Sequence, residues 1–222
     1  MIHRLHLFTT NAYLVTEGTS AWLIDSGLPR DWDRLLRAIR THGVEPGQLK
    51  AVLHTHGHSD HAGNSKRLRE EFQLPLVMHR GELARVERGE NGPLTPASWM
   101  TPFTLPFLVH HFPGFTPDVI LDADLSPITR DFGFPGKVLF TPGHTMGSLT
   151  FLLGHEAIVG DLIRGSLIPF RRGGAGHFYH ENASLAQQSL HTVRAHGITT
   201  LHPGHFSRVT LGALPPNPHQ RE

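Results

Sequence analysis

The eight residues HTHGHSDH, at positions 54–61, contain four histidines and one aspartate. A packed core has little use for so many imidazoles, since each ring brings a donor and an acceptor that must find partners. A metal ion does use them, because neutral imidazole is the commonest protein ligand of zinc-like ions. Side chains alternate along an extended turn, so His56 and His58 should point the same way, while Asp60 and His61 can face a second ion. One short loop can therefore supply two neighbouring metal sites.

Three further segments place metal-binding side chains directly after predicted strands. His144 lies in TPGHTMGS after KVLF, Asp161 lies in GD after EAIV, and His202 and His205 lie in HPGH after ITTL. Loops at strand ends often carry function, because a rigid sheet positions them. We therefore expect these loops to come together with the cluster at 54–61.

The apolar pattern predicts helices packed on mixed β-sheets, which are the elements that must position these loops. Apolar runs predict strands at AYLVT, SAWLIDSG, LKAVLHT, LPLVMH and ITTLHPGH, and three antiparallel strands at KVLFT, SLTFLL and EAIVGD. Helical periodicity predicts helices at DWDRLLRAIRTHG, NSKRLREEF, RGELARVERG and ENASLAQQSLHTVRAHG. No repeat or linker divides the chain, so one domain over residues 1–222 is expected.

Residues 91–117 break this rhythm with six prolines among several aromatic side chains. This composition predicts a loop or irregular helix. We interpret it as a flap over the metal edge, with Trp99, Phe103 and Phe107 forming an apolar wall for a small-molecule substrate.

Composition excludes several classes of protein. Lys and Arg number 20 against 19 Asp and Glu, which gives no electrostatic case for binding nucleic acid or an anionic membrane. The absence of cysteine excludes disulfides and thiolate metal sites. Neither a secretory signal nor a run of 18 apolar residues is present in the sequence, so a soluble cytoplasmic protein is expected. The 19 histidines favour metal binding.

The motifs HTHGHSDH, PGHTMGS, VGD and PGH, in this order, resemble those of the metallo-β-lactamase fold superfamily, whose signature is T-H-x-H-x-D-H. LIDSG also resembles the family's early strand-end aspartate, here Asp25. The resemblance runs from NAYLV to PGHF and implies an α/β fold, an αββα sandwich of two mixed β-sheets flanked by helices, with the site along one edge. It implies a first metal held by His56, His58 and His144, a second held by Asp60, His61 and His205, and Asp161 bridging the two.

The implied ligand set also distinguishes branches of the family. The bridging Asp161 and the lack of cysteine argue against the β-lactamases, and His58 stands where the flavodiiron proteins have Glu. The complete set most resembles glyoxalase II and the members that hydrolyse lactones and thioesters. Only residues 206–222 follow His205, so the C-terminal helical domain that helps glyoxalase II bind glutathione is not expected, which puts glutathione thioesters in doubt.

The expected function is hydrolysis of a small thioester, lactone or ester by a hydroxide shared between two divalent ions. Zinc is expected first, although iron and manganese also suit nitrogen and oxygen ligands. Asp60 is expected to orient the water as well as bind metal. Tyr179 and His177 correspond loosely to the place where related hydrolases put a substrate-contacting group.

Three alternatives stay open at this point: a phosphodiesterase or nuclease of the same fold, a mononuclear-iron sulfur dioxygenase, and a non-catalytic metal-bearing regulator. The expected partner is a small-molecule substrate rather than nucleic acid or a membrane, and the oligomeric state is left open.

Other polar residues near these motifs have competing interpretations. His54 is predicted to be buried or to support a ligand rather than to bind metal, and His79 and Asp25 are predicted to have structural or supporting roles. For His202, a supporting contact and a simple strand end are equally compatible with the sequence.

Two pairs of residues outside the motifs are further candidates for substrate contacts. Arg171 and Arg172 are interpreted as an exposed solvated pair rather than as a site for an anionic substrate. His110 and His111 are not expected to touch the substrate.

Overall fold

The computed structural model describes residues 1–98, 101, 109–168 and 173–213, which form two main β-sheets with helices on their outer faces. The first sheet is mixed: its first three strands are antiparallel, and the third to the sixth run parallel. In spatial order its strands are β1 (Ile2–His6), β2 (Asn11–Glu17), β3 (Ser20–Ile24), β4 (Val52–Leu53), β5 (Leu76–His79) and β6 (Val119–Leu121).

The second sheet contains the three consecutive antiparallel strands that the sequence predicts, β7, β8 and β9. The strands are β7 (Lys137–Phe140), β8 (Leu149–Leu153), β9 (Glu156–Gly160), β12 (Thr200–Pro203) and β13 (Val209–Thr210), with β10 (Arg164–Gly165) and β11 (Gly174–Ala175) forming a separate pair. The spatial order is β13-β12-β9-β8-β7, and β12 runs parallel to β9, so this sheet is also mixed.

Four of the helices in the described residues lie within the predicted helical segments, and two short ones were not predicted. They are α1 (Trp32–Arg40), α2 (Ser59–Ala62), α3 (Ser65–Phe72), α4 (Leu83–Arg88), α5 (Pro127–Arg130) and α6 (Ala183–Ala195). The unpredicted ones, α2 and α5, have four residues each, which is too short for a helical period to be visible in the sequence.

Side chains of the first sheet alternate between two cores. Leu14 of β2 and Leu23 of β3 pack towards α1 and α3, whereas Tyr13 and Trp22 pack towards the second sheet. A strand buried on both faces is apolar along most of its length, which explains why the sequence shows these strands as continuous apolar runs. Trp22 also donates its indole N–H to the carbonyl of Phe132 at 2.8 Å, so its polar atom is satisfied.

The second sheet divides its side chains in the same way. Phe151 and Ile158 face the first sheet, while Leu152 and Ala157 pack towards Ala186 of α6. The layers are therefore helix, sheet, sheet and helix, which is the αββα sandwich that the family resemblance implies. No helix within the described residues is long and apolar enough to cross a membrane.

The loops that carry the predicted ligands follow strands β4, β7, β9 and β12, and they meet at one edge of the sandwich. Two backbone hydrogen bonds connect the sheets there. Leu149 N–H donates to the carbonyl of Thr55 at 2.8 Å, and Asn11 N–H donates to the carbonyl of Gly204 at 2.7 Å. The position of each loop therefore depends on how the two sheets pack.

We predict that Phe151→Ala lowers the free energy of unfolding by about 3–5 kcal/mol, because a fully buried ring leaves a cavity between the sheets. Phe140→Ala is the matched control on the same sheet. Its side chain is 45% exposed, so a loss of less than about 1 kcal/mol is expected. Denaturant unfolding of both variants measures the difference, and equal losses would show that Phe151 does not hold the sheets together.

Candidate metal centre

Each predicted ligand occupies a loop or a short helix at the end of a strand. His56 and His58 lie in the loop after β4, and Asp60 and His61 lie on α2, which begins directly after that loop. Asp161 immediately follows β9. His144 and His205 lie in the loops after β7 and β12.

The structure brings the first three predicted ligands together. His58 Nδ1 lies 3.1 Å from His56 Nε2 and 3.1 Å from His144 Nε2. Two nitrogens at this distance can face one ion, since zinc–nitrogen bonds are about 2.0–2.1 Å long. All three side chains are buried.

The second three predicted ligands lie directly beside them. His205 Nε2 is 3.2 Å from Asp60 Oδ2, and His61 Nε2 is 3.9 Å from the same oxygen. Asp161 joins the two groups, because its Oδ1 lies 3.4 Å from His61 Nε2 and its Oδ2 lies 3.6 Å from His144 Nε2. All seven side chains of the implied ligand set therefore converge, and Asp161 lies between the two groups.

Asp25 orients two of the histidines from beneath the cluster. Its Oδ2 accepts from His61 Nδ1 at 2.8 Å and from the Thr55 hydroxyl at 2.7 Å. Since that hydroxyl donates its proton to Asp25, its lone pairs accept from His56 Nδ1 at 3.0 Å. The Nδ1 of each ring therefore carries a proton, and its Nε2 can bind a metal once the metal has replaced any proton there. Hydrogen bonds of this kind at Nδ1 hold metal-binding imidazoles in a fixed tautomer.

Backbone carbonyls orient two more rings. His144 Nδ1 lies 2.9 Å from the carbonyl of Tyr179, and His205 Nδ1 lies 2.9 Å from the carbonyl of Thr9. A carbonyl can only accept, so Nδ1 carries the proton in each ring and Nε2 is directed into the cluster. Thr9 could not be identified from the sequence, because any residue type provides a carbonyl.

The first group of predicted ligands, His56, His58 and His144, is electrically neutral without metal. Burial lowers the pKa of His58 to about 3, with the nearby Arg85 guanidinium acting in the same direction. Burial also lowers the pKa values of His56 and His144 well below the usual value, although Asp161 opposes the shift in both. Neutral imidazoles have a free lone pair at neutral pH, as metal binding requires.

The second group carries protons instead. Burial acts to lower the pKa of His205, but Asp161 and Asp60 outweigh it and raise the value to about 10. The pKa of His61 is raised well above its usual value for the same reason, with Asp25 contributing. Burial acts to raise the pKa of Asp161, but the histidines around it, of which His177 has the largest effect, hold it well below its usual range.

His54, His79 and His202 lie outside the cluster. His54 is buried, with Nδ1 2.9 Å from the carbonyl of Val77 and Nε2 2.6 Å from the hydroxyl of Ser65, so both ring nitrogens have partners. His79 Nδ1 accepts from Gly81 N–H at the start of a helical turn. His202 pairs with Glu156 on the neighbouring strand at 2.7 Å.

The two predicted substrate-contacting residues lie beside the cluster. His177 Nε2 is 3.1 Å from Asp161 Oδ2, so it lies directly against the carboxylate that is predicted to bridge the two metals. Tyr179 is buried, lines the same cavity, and donates its hydroxyl to the carbonyl of Thr101 at 3.4 Å.

The predicted flap falls partly outside the described residues, as do Trp99, Phe103, Phe107, Arg171 and Arg172. Of its described part, Leu94 and Asn91 line the cavity beside the cluster, whereas Phe112 and Phe115 belong to the core of the first sheet. His110 and His111 are both exposed to solvent.

A cavity of about 400 Å³ opens onto the cluster, a size suited to a small molecule. Its wall includes the apolar side chains of Phe8, Leu94, Phe178 and Phe206. Five of the seven predicted ligands also line it: His58, Asp60, His144, Asp161 and His205. None of the described residues that line it is Lys or Arg.

A comparison with families of known proteins matches residues 7–205 to the metallo-beta-lactamase superfamily. The chain belongs to this superfamily. The matched residues include all seven predicted ligand positions, from His56 to His205.

Several curated proteins are similar to the chain. A probable metallo-hydrolase of Bacillus subtilis, YybB, is 26% identical over 161 residues, which are 68% of this chain and 61% of that protein. A hydroxyacylglutathione hydrolase of Anaeromyxobacter dehalogenans is 33% identical over 109 residues, 49% of this chain and 40% of the relative. An atrochrysone carboxyl ACP thioesterase of Aspergillus fumigatus is 26% identical over 205 residues, 91% of this chain and 52% of the relative. The chain thus spans less than two thirds of the length of these relatives.

Solved structures share the fold. The B3 metallo-beta-lactamase BLEG-1 superposes with a TM-score of 0.69 at 21% identity, covering 96% of this chain and 95% of that one. TTHA1623 in a di-iron-bound form superposes with a TM-score of 0.65 at 26% identity, covering 94% and 96%.

We predict that the two groups of ligands differ in how their metal affinity depends on pH. A pKa raised to about 10 means that His205 keeps its proton at neutral pH, so an ion must displace it, and affinity at the second site rises with pH up to that value. Between pH 6 and 8 the gain should be roughly tenfold per pH unit for each proton displaced. The first site, with neutral histidines, should change little.

Calorimetric metal titrations in buffers of different ionisation enthalpy count the protons released at each site. Equal proton release on binding the first and the second ion would contradict the assignment of charges given above.

Proposed function

We propose that the protein is a dinuclear metal-dependent hydrolase of small acyl substrates, namely thioesters, lactones or esters. One observation carries the proposal: the carboxylate of Asp161 lies between a group of three histidines and a group formed by Asp60, His61 and His205. Two ions bound to these groups would share a bridging ligand, which is the arrangement of two-metal hydrolytic sites.

The residues fit such ions without rearrangement of the fold. His61 Nε2 and Asp161 Oδ1 are buried and have no hydrogen-bond partner among the described residues. A buried polar atom without a partner is unfavourable, and a metal–ligand bond supplies the missing interaction. The nitrogen and oxygen donors suit zinc, iron and manganese, and we propose zinc, with iron as the alternative favoured by the di-iron form of TTHA1623.

Bound divalent ions would lower the pKa of a coordinated water towards 7 and polarise an acyl carbonyl. The chain's own residues would control where this chemistry occurs. Asp60, whose side chain is 24% exposed, faces the cavity and can accept a hydrogen bond from the attacking water. The apolar wall formed by Phe8, Phe178 and Phe206 would exclude bulk water and hold the acyl group.

Tyr179 and His177 are the proposed substrate contacts. Both line the cavity next to Asp161, and His177 Nε2 approaches its carboxylate to 3.1 Å. Burial lowers the pKa of His177 to about 4, so the ring is neutral near pH 7 and can donate or accept a hydrogen bond.

Two features favour acyl substrates over the alternative of phosphodiesters. A hydroxyacylglutathione hydrolase and a thioesterase are among the similar curated proteins. The described cavity wall has no Lys or Arg to contact phosphate, and the net charge is only +1. The alternative of a sulfur dioxygenase requires a single iron, so metal content separates it from the proposal.

We expect fully loaded protein to bind two metal ions per chain, since two groups of three ligands share Asp161. Elemental analysis after saturation and removal of free metal measures this ratio. One ion per chain would refute the dinuclear site, and a single iron would support the dioxygenase.

Replacing Asp161 with Ala should reduce kcat/KM for a thioester or lactone at least ~100-fold, because the shared ligand of both ions is lost. His54→Ala is the matched control, a buried polar residue near the cluster that contacts Val77 and Ser65 instead. Its loss should be about tenfold or less. A panel of thioesters, lactones and phosphodiesters checks both variants, and equal losses would show that the ligand assignment is wrong.

A wild-type protein that cleaves phosphodiesters but no acyl compound would instead establish the nuclease alternative.

A further inference from the structure

Glu82 is a buried carboxylate that belongs to none of the ligand motifs. It ends the helical turn Arg80–Glu82, directly before α4, and its side chain is 0% exposed. Arg85, one helical turn later, pairs with it at 2.7 Å. A carboxylate so deeply buried is unfavourable unless it is fully hydrogen-bonded, so its partners indicate what it does.

Its two oxygens accept from two different ligand loops. Oε2 accepts from Gly57 N–H at 2.8 Å, between His56 and His58. Oε1 accepts from Gly147 N–H at 2.9 Å, in the loop that carries His144. One side chain therefore connects the backbones of the two loops that supply the first group of histidines.

Both partner residues have no room for a side chain at this contact. A Cβ on Gly57 would lie 2.9 Å from Glu82 Oε2, and a Cβ on Gly147 would lie 2.5 Å from Glu82 Oε1. Since real Cβ atoms essentially never approach so closely, glycine at both positions allows the carboxylate to reach the two loops.

Arg85 extends the connection to a third segment. Its Nη2 donates to Glu181 Oε1 at 2.5 Å, and Glu181 Oε2 accepts from Met146 N–H at 2.9 Å. The loop of His144 is therefore held by two carboxylates through successive residues, Met146 and Gly147. The guanidinium between them compensates the negative charges, which makes the buried arrangement stable.

We propose that Glu82 is a positioning residue for the first metal site, which sets the 3.1 Å approach of His58 Nδ1 to His144 Nε2 by holding both of their loops. This inference rests on the metal-binding part of the proposed function. Groups that hold metal ligands in place typically change metal affinity by 10–100-fold when removed.

Glu82→Gln tests the proposal with little change of volume. An amide offers one acceptor oxygen and one N–H₂ group, so one of the two glycine N–H groups then faces a donor. We expect binding of the first ion, measured by competition with a chromophoric chelator, to weaken about 10–100-fold. Binding of the second ion should change by less than about threefold, because Glu82 contacts none of its three ligands and Asp25 orients His61 there. The visible spectrum of Co²⁺ in the first site should also change, since it reports coordination geometry.

Asp118→Asn is the matched control. Glu82 accepts from two backbone N–H groups, whereas Asp118 accepts from one, that of Leu76 at 2.9 Å, and lies 3.7 Å from Arg69. Neither partner of Asp118 belongs to a ligand loop. It should leave both metal affinities and the Co²⁺ spectrum unchanged. A purely structural role for Glu82 predicts instead that both variants lower the melting temperature and that neither moves the Co²⁺ spectrum.

Glu181→Gln keeps the test decisive if Glu82→Gln does not fold. Glu181 is 23% exposed and holds only the Met146 side of the loop, so a smaller weakening of the first site is expected. Unchanged first-site affinity and an unchanged Co²⁺ spectrum in whichever variant folds would overturn the proposal. Wild-type protein that binds no metal would refute the proposed function itself, which is a different result.

Discussion

The carboxylates of Asp60 and Asp161 both lie beside one nitrogen, His205 Nε2, at 3.2 and 3.3 Å. Two negative groups so close together in a largely buried place repel each other and lose hydration, so positive charge must lie between them. In the metal-free protein, protons on His61 and His205 provide that charge, as their raised pKa values show. Divalent ions would provide more positive charge at the same atoms. The site therefore favours positive charge, and in the metal-free protein protons occupy the positions that the proposed ions would take.

Support for this charge arrangement comes from a residue in an unfavourable backbone conformation. Asp25 has a φ of 62°, in the left-handed region that costs a non-glycine residue of order 1 kcal/mol or more. That conformation, directly after β3, places its carboxylate against the Thr55 N–H, the Thr55 hydroxyl and His61. Such strain persists only where the surroundings hold it, and here two strands of the first sheet, β3 and β4, do so. The first sheet thus orients ligands of both metal groups.

The site is also a junction between the two sheets. Ligands from the first sheet's loops meet ligands from the second sheet's loops, and backbone hydrogen bonds from Leu149 to Thr55 and from Asn11 to Gly204 connect the same regions. Glu82 adds a side-chain connection between Gly57 and Gly147. Because these contacts lie around the buried ligands, the distances within the cluster depend on how the sheets pack.

The sequence by itself determined the ligand types, because imidazoles and carboxylates at strand ends have few structural uses, and it determined the strands whose side chains are buried on both faces, such as β2 and β3. It did not determine β1, β6 or β13, since short edge strands show little periodicity. Only the tertiary structure decided which groups orient the ligands. The carbonyls of Thr9 and Tyr179 have no signature in residue type, and Glu82 lies 25 residues from Gly57 and 65 from Gly147. Contacts so distant in sequence exist only once both sheets have packed, because nothing local brings those atoms together.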